Sequence, residues 1–395
     1  MTPSQIDIQL VAAITAAACA LPGVWLVLRR MAMMGDAISH TVLLGIVLAF
    51  IVTRNLHSPL LFVGAVLIGV ITVVLVELLQ HTRLFKEDAA IGLVFPVLFS
   101  IAVIIISVAF SNVHLDEHAV LLGELAFVPF DRVELFGFNL PRTLVIMSGI
   151  LLLNLALITI FYKELKLVTF DAGLSTSLGF APALIHYGLM TMVSITAVGA
   201  FDAVGSILVI ALIVAPPISA YLLTDRLVWM LILSVMFGIA SAISGYWVAW
   251  RIDTTISGAI AMMAGVFFGM TYLLAPQRGL IAVTLRRLRQ RREFAQTMLA
   301  LHLFNHEDQP DAISESRFEH LYQHMRWQPV FATRVVRRAE QRGLIRNQAG
   351  VLLLTERGRQ MVRQSLLATT GADLTFVAPP WTGGARGGRI DDAPV

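Results

Sequence analysis

The sequence is short of charge, of cysteine and of nucleotide-binding or hydrolytic motifs. Only 14% of its 395 residues are charged, against 57% apolar, a balance that excludes an ordinary soluble enzyme and suits a chain whose main solvent is lipid. Its one cysteine, Cys19, stands in an apolar run. No intramolecular disulfide can form, the redox compartment stays unread, and helix packing is the reading for that residue. The first ten residues carry no Lys or Arg, and the apolar stretch they open is too long for the core of a cleaved signal peptide, so the mature protein is expected to keep it. No G-x-x-x-x-G-K-[ST] phosphate loop occurs: Gly383-Gly384-Ala385-Arg386-Gly387-Gly388 lacks the Lys-Ser/Thr ending, so the chain is not expected to hydrolyse ATP. Neither H-E-x-x-H nor a nucleophile–base pair appears, which sets an intramembrane enzyme aside.

Long apolar stretches are what the sequence has instead. They run from Ile6 to Leu28, Met31 to Val52, Pro59 to Leu79, Ala89 to Phe110, Leu144 to Tyr162, Ala183 to Ala200, Ala203 to Leu223, Leu227 to Trp250 and Ser257 to Ala275. About nine crossings follow, as helices, because lipid offers the backbone no hydrogen-bond partners. Arg29-Arg30, Arg83 with Lys86, Lys163 with Lys166, Arg226 and the Arg-rich stretch after Arg278 fall at alternate ends of these spans. The positive-inside rule makes those ends cytoplasmic, with the N-terminus outside. Arg54, Arg132, Arg142 and Arg251 lie on the other side, but singly or widely spaced. An external segment from Ser111 to Arg142 carries five carboxylates, and Leu115 to Phe127 within it reads as an amphipathic surface helix. It is either a solvated cap or a surface that attracts cations or docks a delivery protein.

Ionisable residues inside a span are costly enough to mark function. Asp36 and His40, in Met34-Gly35-Asp36-Ala37-Ile38-Ser39-His40, are four apart and share a helix face one turn from each other. Carboxylate oxygen with imidazole nitrogen suits Mn, Fe(II) or Zn rather than Mg. One chain supplies two ligands; a twofold dimer would bring four to its axis. The competing reading is an Asp–His hydrogen bond that only locks helices. Asp202 is expected to be an N-cap between the sixth and seventh spans, and Glu77, near a cytoplasmic end, is given no role. Ala215-Pro216-Pro217 should kink or unwind the seventh span. His57, His114 and His118 are placed on outer loops, where lone histidines more often have no special task.

Three separated motifs resemble the permease family of manganese, zinc and iron ABC importers. They are Arg30 to His40; Tyr162-Lys163-Glu164-Leu165-Lys166 leading to Phe170-Asp171; and Phe201-Asp202-Ala203-Val204-Gly205 through Ala215-Pro216-Pro217 to Leu223-Thr224-Asp225-Arg226. The match runs in order from about Leu10 to Ala275. It implies a type II-like importer fold, an all-α polytopic membrane protein in the bacterial inner membrane, working as a homodimer or paired with a second permease. It further implies a cytoplasmic ATPase on each protomer, an extracellular or periplasmic metal-binding protein, and transported Mn2+, Zn2+ or Fe2+ with no permanently bound cofactor. Manganese is the first choice. The family's Gly-Asp-Ala-x-x-His motif, tied to the metal path, falls on Gly35, Asp36, Ala37 and His40. The family's coupling helix, which sits in a groove of the ATPase, falls within Phe170 to Phe180, on Phe170, Asp171, Ala172, Gly173, Leu174 and Gly179.

After Pro276 the composition turns basic and polar: 18 of the 29 Lys and Arg lie there. A permease domain is therefore expected over residues 1–276, a linker over 277–292, a second domain over 293–369 and a disordered tail from 370. Helices at about Glu293 to Phe304, Ser314 to Met325 and Pro329 to Arg342, two short strands around a turn at Asn347 to Gly350, and a last helix capped by Thr355 give a winged-helix order. Gly343-Leu344-Ile345 and Leu354 to Arg359 resemble the wing region of bacterial winged-helix regulators. Arg334, Arg337, Arg338 and Arg342 share one side of the third helix, the helix that enters a DNA groove in that fold. A regulatory or protein-contact role ranks ahead of DNA binding, because the domain is tethered to a membrane. His302 with His306 and His320 with His324 are i, i+4 pairs without a completed ligand set. The competitors to a metal permease are a cobalamin or siderophore permease, which needs no ligand pair, and a membrane-tethered regulator in which the spans only anchor the tail.

Overall fold

The computed structural model describes residues 2–55, 58–109, 125–135, 137–307, 309, 313, 316–318, 325 and 327–370. It divides into two compact units, Met1–Val283 and Thr284–Val395. Among the described residues of the first, nine helices are long and apolar enough to cross a membrane. They are α1 (Pro3–Leu28), α2 (Ala32–Thr53), α3 (Pro59–His81), α4 (Glu87–Ala109), α5 (Arg142–Ile160), and, after the short α6 (Tyr162–Phe170) and α7 (Ala172–Ser177), α8 (Pro182–Val204), α9 (Ser206–Leu223), α10 (Leu227–Ile252) and α11 (Ile256–Leu274). A 3-10 helix, Leu125–Phe130, and an antiparallel hairpin of β1 (Arg132–Leu135) and β2 (Phe138–Pro141) precede α5. The surface helix expected over 115–127 lies outside the described residues up to 124; its end is the 3-10 turn. The hairpin was not expected, because its strands are only four residues long.

Helix α1 is the core of the bundle, packed against α5, α8, α9 and α10 and buried on nearly every side from Thr15 to Leu26. Pro22 inside it has no N–H to give the carbonyl of Ala18. Asn154 of α5, itself fully buried, donates its Nδ2 to that carbonyl at 3.0 Å and to Thr196 of α8 at 2.9 Å. A buried carbonyl left unpaired would cost about 1–3 kcal/mol, so the asparagine offsets the proline. The next residue, Gly23, touches the Ile213 carbonyl of α9 so closely that a Cβ has no room. That carbonyl is the one Pro217 cannot reach with an N–H, so α1 approaches α9 closely at the proline pair. Of the two outcomes expected, unwinding does not occur: α9 is helical through Pro216 and Pro217.

Contacts sort the helix ends. Asp7, at the start of α1, pairs with Arg132 of the hairpin, whereas Arg29, just past its end, meets Thr169 of α6 and His186 of α8. Arg278 pairs with Asp225 and lies over the Tyr221 ring. The end that carries Arg29 and Arg278 is here called the basic end; Arg132 lies at the other.

The second unit contains most of α12 (Leu280–His306), then α13 (Pro329–Gln341), β3 (Ile345–Gln348), β4 (Val351–Leu354) and α14 (Glu356–Thr370). Where a linker was drawn over 277–292, helix is in place from Leu280; arginines are good helix formers, and a polar composition alone does not mark a break. Its core joins Leu299, Leu303, Val335, Val336, Ile345 and Leu352. Ala349 and Gly350, both at positive φ, turn β3 into β4, the geometry that two-residue hairpins require. Backbone bonds from Phe318 to Gly350 and from Leu352 to Ser316 lay a third short segment beside β4. Most of the helix expected at Ser314 to Met325, with His320 and His324, lies outside the described residues, as do His57, His114, His118 and the tail from Gly371.

Candidate functional site

Helix α2 starts from a tight turn: Arg30 is left-handed, at φ 64°, and Met31 is the N-cap. Asp36 and His40 follow on its second and third turns. Asp36 Oδ1 lies 3.3 Å from His40 Nε2, and the two side chains are 27% and 29% exposed. Neighbouring residues seat this turn deep in the bundle: Gly35 packs against Ile213 of α9 and Leu26 of α1, and Ser39 donates its hydroxyl back to the Gly35 carbonyl at 2.8 Å. Phe95 of α4 stacks on the His40 ring at 5.6 Å, and Phe99 meets it edge-on at 6.1 Å. The aromatics fix the imidazole plane while the pair keeps access to solvent or to a partner. A carboxylate and an imidazole can together replace two waters of a divalent ion. Among the described residues no group of three or more His, Cys, Asp or Glu could hold a metal, so the pair stands there as a two-ligand set.

The segment between α6 and α8 is built to be touched. Asp171 caps α7, accepting the Leu174 N–H on Oδ1 at 2.8 Å, and Phe170, Leu174 and Leu178 are 63%, 48% and 60% exposed. Ala172, Gly173 and Gly179 are exposed as well. Leu84 and Phe85, in the basic-end loop from α3 to α4, are also uncovered. Such a small, uncovered apolar surface on a capped one-turn helix suits a groove in another protein.

A second carboxylate–imidazole pair was missed. Glu77 of α3, given no role above, has Oε1 2.6 Å from Nε2 of His186 and accepts the Tyr187 hydroxyl on Oε2 at 2.5 Å. Arg29 holds the other side of the imidazole, with Nη1 2.9 Å from His186 Nδ1, and its Nε donates to Thr169 of α6 at 3.2 Å. The rule that singled out Asp36, an ionisable side chain inside a span, applies equally to Glu77 and His186. Asp202 is a correction too. It lies in the last turn of α8 rather than at an N-cap, because the chain turns one step later, at Gly205 (φ 80°), the single residue between α8 and α9.

Residues 5–275 match the model of the ABC 3 transport family. This chain belongs to that family. It is 47% identical over 360 residues to the zinc transport system membrane protein TroD of Treponema pallidum (strain Nichols), covering 91% of this chain and 98% of that protein. It is 48% identical over 278 residues to the manganese transport system membrane protein MntD of Bacillus subtilis (strain 168), covering 70% and 94%. Among solved structures it resembles PsaBC from Streptococcus pneumoniae in complex with Fab, at 27% identity and a TM-score of 0.60, over 72% of this chain and 96% of that one.

The family match ends where α11 ends, and the C-terminal unit adds a basic surface of its own. Arg334, Arg337 and Arg338 stand on the exposed side of α13, opposite Ala332, Val335, Val336 and Ala339, which are buried. Arg342, the C-cap, donates to Gln296 of α12 at 3.0 Å. Arg338 and Arg342 line a cleft of about 500 Å³ with Arg289 and Arg292, while Arg291 lies over the Phe331 ring at 5.0 Å. His302 and His306 face each other with ring centroids 4.7 Å apart.

Proposed function

We propose that this member of the ABC 3 transport family is the membrane permease of an ATP-driven importer for a divalent transition metal, with manganese and zinc ahead of iron. The observation that carries the reading is the Asp36–His40 pair, a half-open two-ligand set one turn apart on a helix inside a nine-span bundle. Close relatives named for zinc and for manganese stand at nearly equal identity, so identity does not choose the ion. One Asp and one His serve either ion.

In this reading the basic end faces the cytoplasm. A second permease protomer completes the ion's ligand set, an ATPase partner seats α7, and an extracellular or periplasmic metal-binding protein delivers the ion to the opposite end. The absence of a phosphate loop in the sequence fits a subunit that leaves ATP hydrolysis to its partner. The test is uptake of labelled manganese and zinc, each competed by the other, in cells carrying the permease, its ATPase and its binding protein. Import of one ion that Asp36→Ala abolishes, with the protein still in the membrane, supports the path and names the cargo. Unchanged uptake in Asp36→Ala removes the site.

The C-terminal unit reads as a winged-helix-like cytoplasmic domain whose arginine face, Arg334, Arg337, Arg338 and Arg342, contacts an anionic partner in a regulatory role. The match to the zinc-named relative extends into this unit, since 91% of the chain is aligned. Truncation after Gln277 is expected to lower uptake in part; complete loss of function with the spans still in the membrane would favour a tethered regulator.

A further inference from the structure

We propose that Arg29, Glu77 and His186 form the joint through which the coupling segment moves the ion-binding helix. These are positioning residues for transport that touch neither the ion nor the ATPase. The inference rests on the reading of Phe170–Phe180 as the ATPase-coupling segment.

Arg29 touches both sides of the joint. Its Nε donates to Thr169 Oγ1, next to the exposed Phe170 that leads into α7, and its Nη1 reaches His186 Nδ1. A guanidinium only donates, so Nδ1 must be the accepting nitrogen and the ring proton sits on Nε2, 2.6 Å from Glu77 Oε1. The second oxygen of Glu77 takes the Tyr187 hydroxyl. These contacts pin α1, α3, α6 and α8 together at the basic end, with Arg29 Nη2 left buried and without a hydrogen bond. Trp25 of α1 adds an edge-on contact with Tyr162 of α6 at 6.5 Å.

Downstream, Arg29 is followed by the left-handed Arg30 and the N-cap Met31, and then by α2. Asp36 is seven residues from Arg29 along this turn and rigid helix. A displacement of α6 and α7 pulls on Arg29, and the tight turn passes it to the first turns of α2, where the ion ligands are. Coupling between sites requires such a connected set of contacts with two arrangements. The hydrogen-bonded imidazole supplies the two: Nδ1 bonded to Arg29, or released from it.

The test uses the full transporter, permease with ATPase and binding protein, in proteoliposomes, reading manganese taken up and ATP hydrolysed in the same sample. Glu77→Gln and His186→Phe are expected to lower the ions moved per ATP about tenfold, within the usual range of coupling between sites, while hydrolysis continues. His186→Gln, which keeps one acceptor and one donor in place of the two ring nitrogens, should restore most of the ratio. Thr169→Val, which removes the partly exposed hydroxyl that accepts the Arg29 Nε–H, should lower it without harming assembly. An unchanged ratio in Glu77→Gln and Thr169→Val overturns the joint, as does a loss of uptake that only tracks the amount of protein in the membrane. If the wild-type complex neither imports manganese or zinc nor hydrolyses ATP, it is the reading as a metal permease that fails.

Discussion

Two carboxylate–imidazole pairs lie inside the spans, and they differ in what their lone pairs are used for. Asp36 and His40 sit on one helix at 3.3 Å, 27% and 29% exposed, flanked by aromatic carbons that make no claim on their polar atoms. Glu77 and His186 come from two helices, approach to 2.6 Å, are 21% and 15% exposed, and are further engaged by Arg29 and Tyr187. The same two chemical groups thus make an open site in one place and a closed strut in the other. Arginine decides it: a fixed positive charge beside an imidazole repels a divalent ion, and the contacts of His40 among the described residues are Asp36, Phe95 and Phe99.

The largest expected effect separates the pairs by affinity. Asp36→Ala removes a ligand and should raise the half-saturating ion concentration about a hundredfold, at the upper end of what loss of a metal's supporting group costs, whereas Glu77→Gln should leave that concentration within about twofold. Uptake measured over a range of ion concentrations checks this, and equal weakening by both would erase the contrast. Next, Phe95→Leu should loosen the His40 ring and weaken the same half-saturation roughly two- to tenfold, the scale of one aromatic contact; an ATPase rate that changes instead would place Phe95 with the strut. Asn154→Leu strands the Ala18 carbonyl and should destabilise the bundle by about 1–3 kcal/mol, read as thermal unfolding in detergent, with no change in ion preference.

The smallest effect lies in the C-terminal unit, where an arginine rather than an imidazole holds a carboxylate. Arg359 hydrogen bonds Glu307 through Nε and Nη2 and holds its carboxyl below the ordinary glutamate range. A lowered value in the folded state means the contact contributes fully above about pH 4.3, the usual glutamate pKa, and is lost as pH falls through the lowered value. Protection of the α14 amides, taken relative to their intrinsic exchange rate at each pH, should therefore fall on acidification below that point, and Glu307→Gln should remove the dependence.

What could be read from sequence follows the same division. Asp36 and His40 are four residues apart, so helical periodicity alone brings them together. Glu77 and His186 are brought together only by the packing of α3 on α8, which no local pattern announces. The nine spans were legible because lipid demands long apolar helices. The join at Gly205 was misplaced because a polar Asp202 looked like the break, when the residue able to adopt the positive φ stood three positions later. What surrounds the prolines was equally hidden: Asn154 bonds the carbonyl that Pro22 leaves and Gly23 lies against the one that Pro217 leaves, and both partners are distant in sequence or in another helix.

Cys19 has a practical consequence. It is the sole cysteine of the chain and is fully enclosed at the centre of α1, out of reach of aqueous thiol reagents. Pairs of cysteines introduced at Leu178 and at Val52, both uncovered and at opposite ends of the bundle, would take spin or fluorescent labels without any background to remove, so the opening and closing of the protein can be followed as a distance on the otherwise native chain.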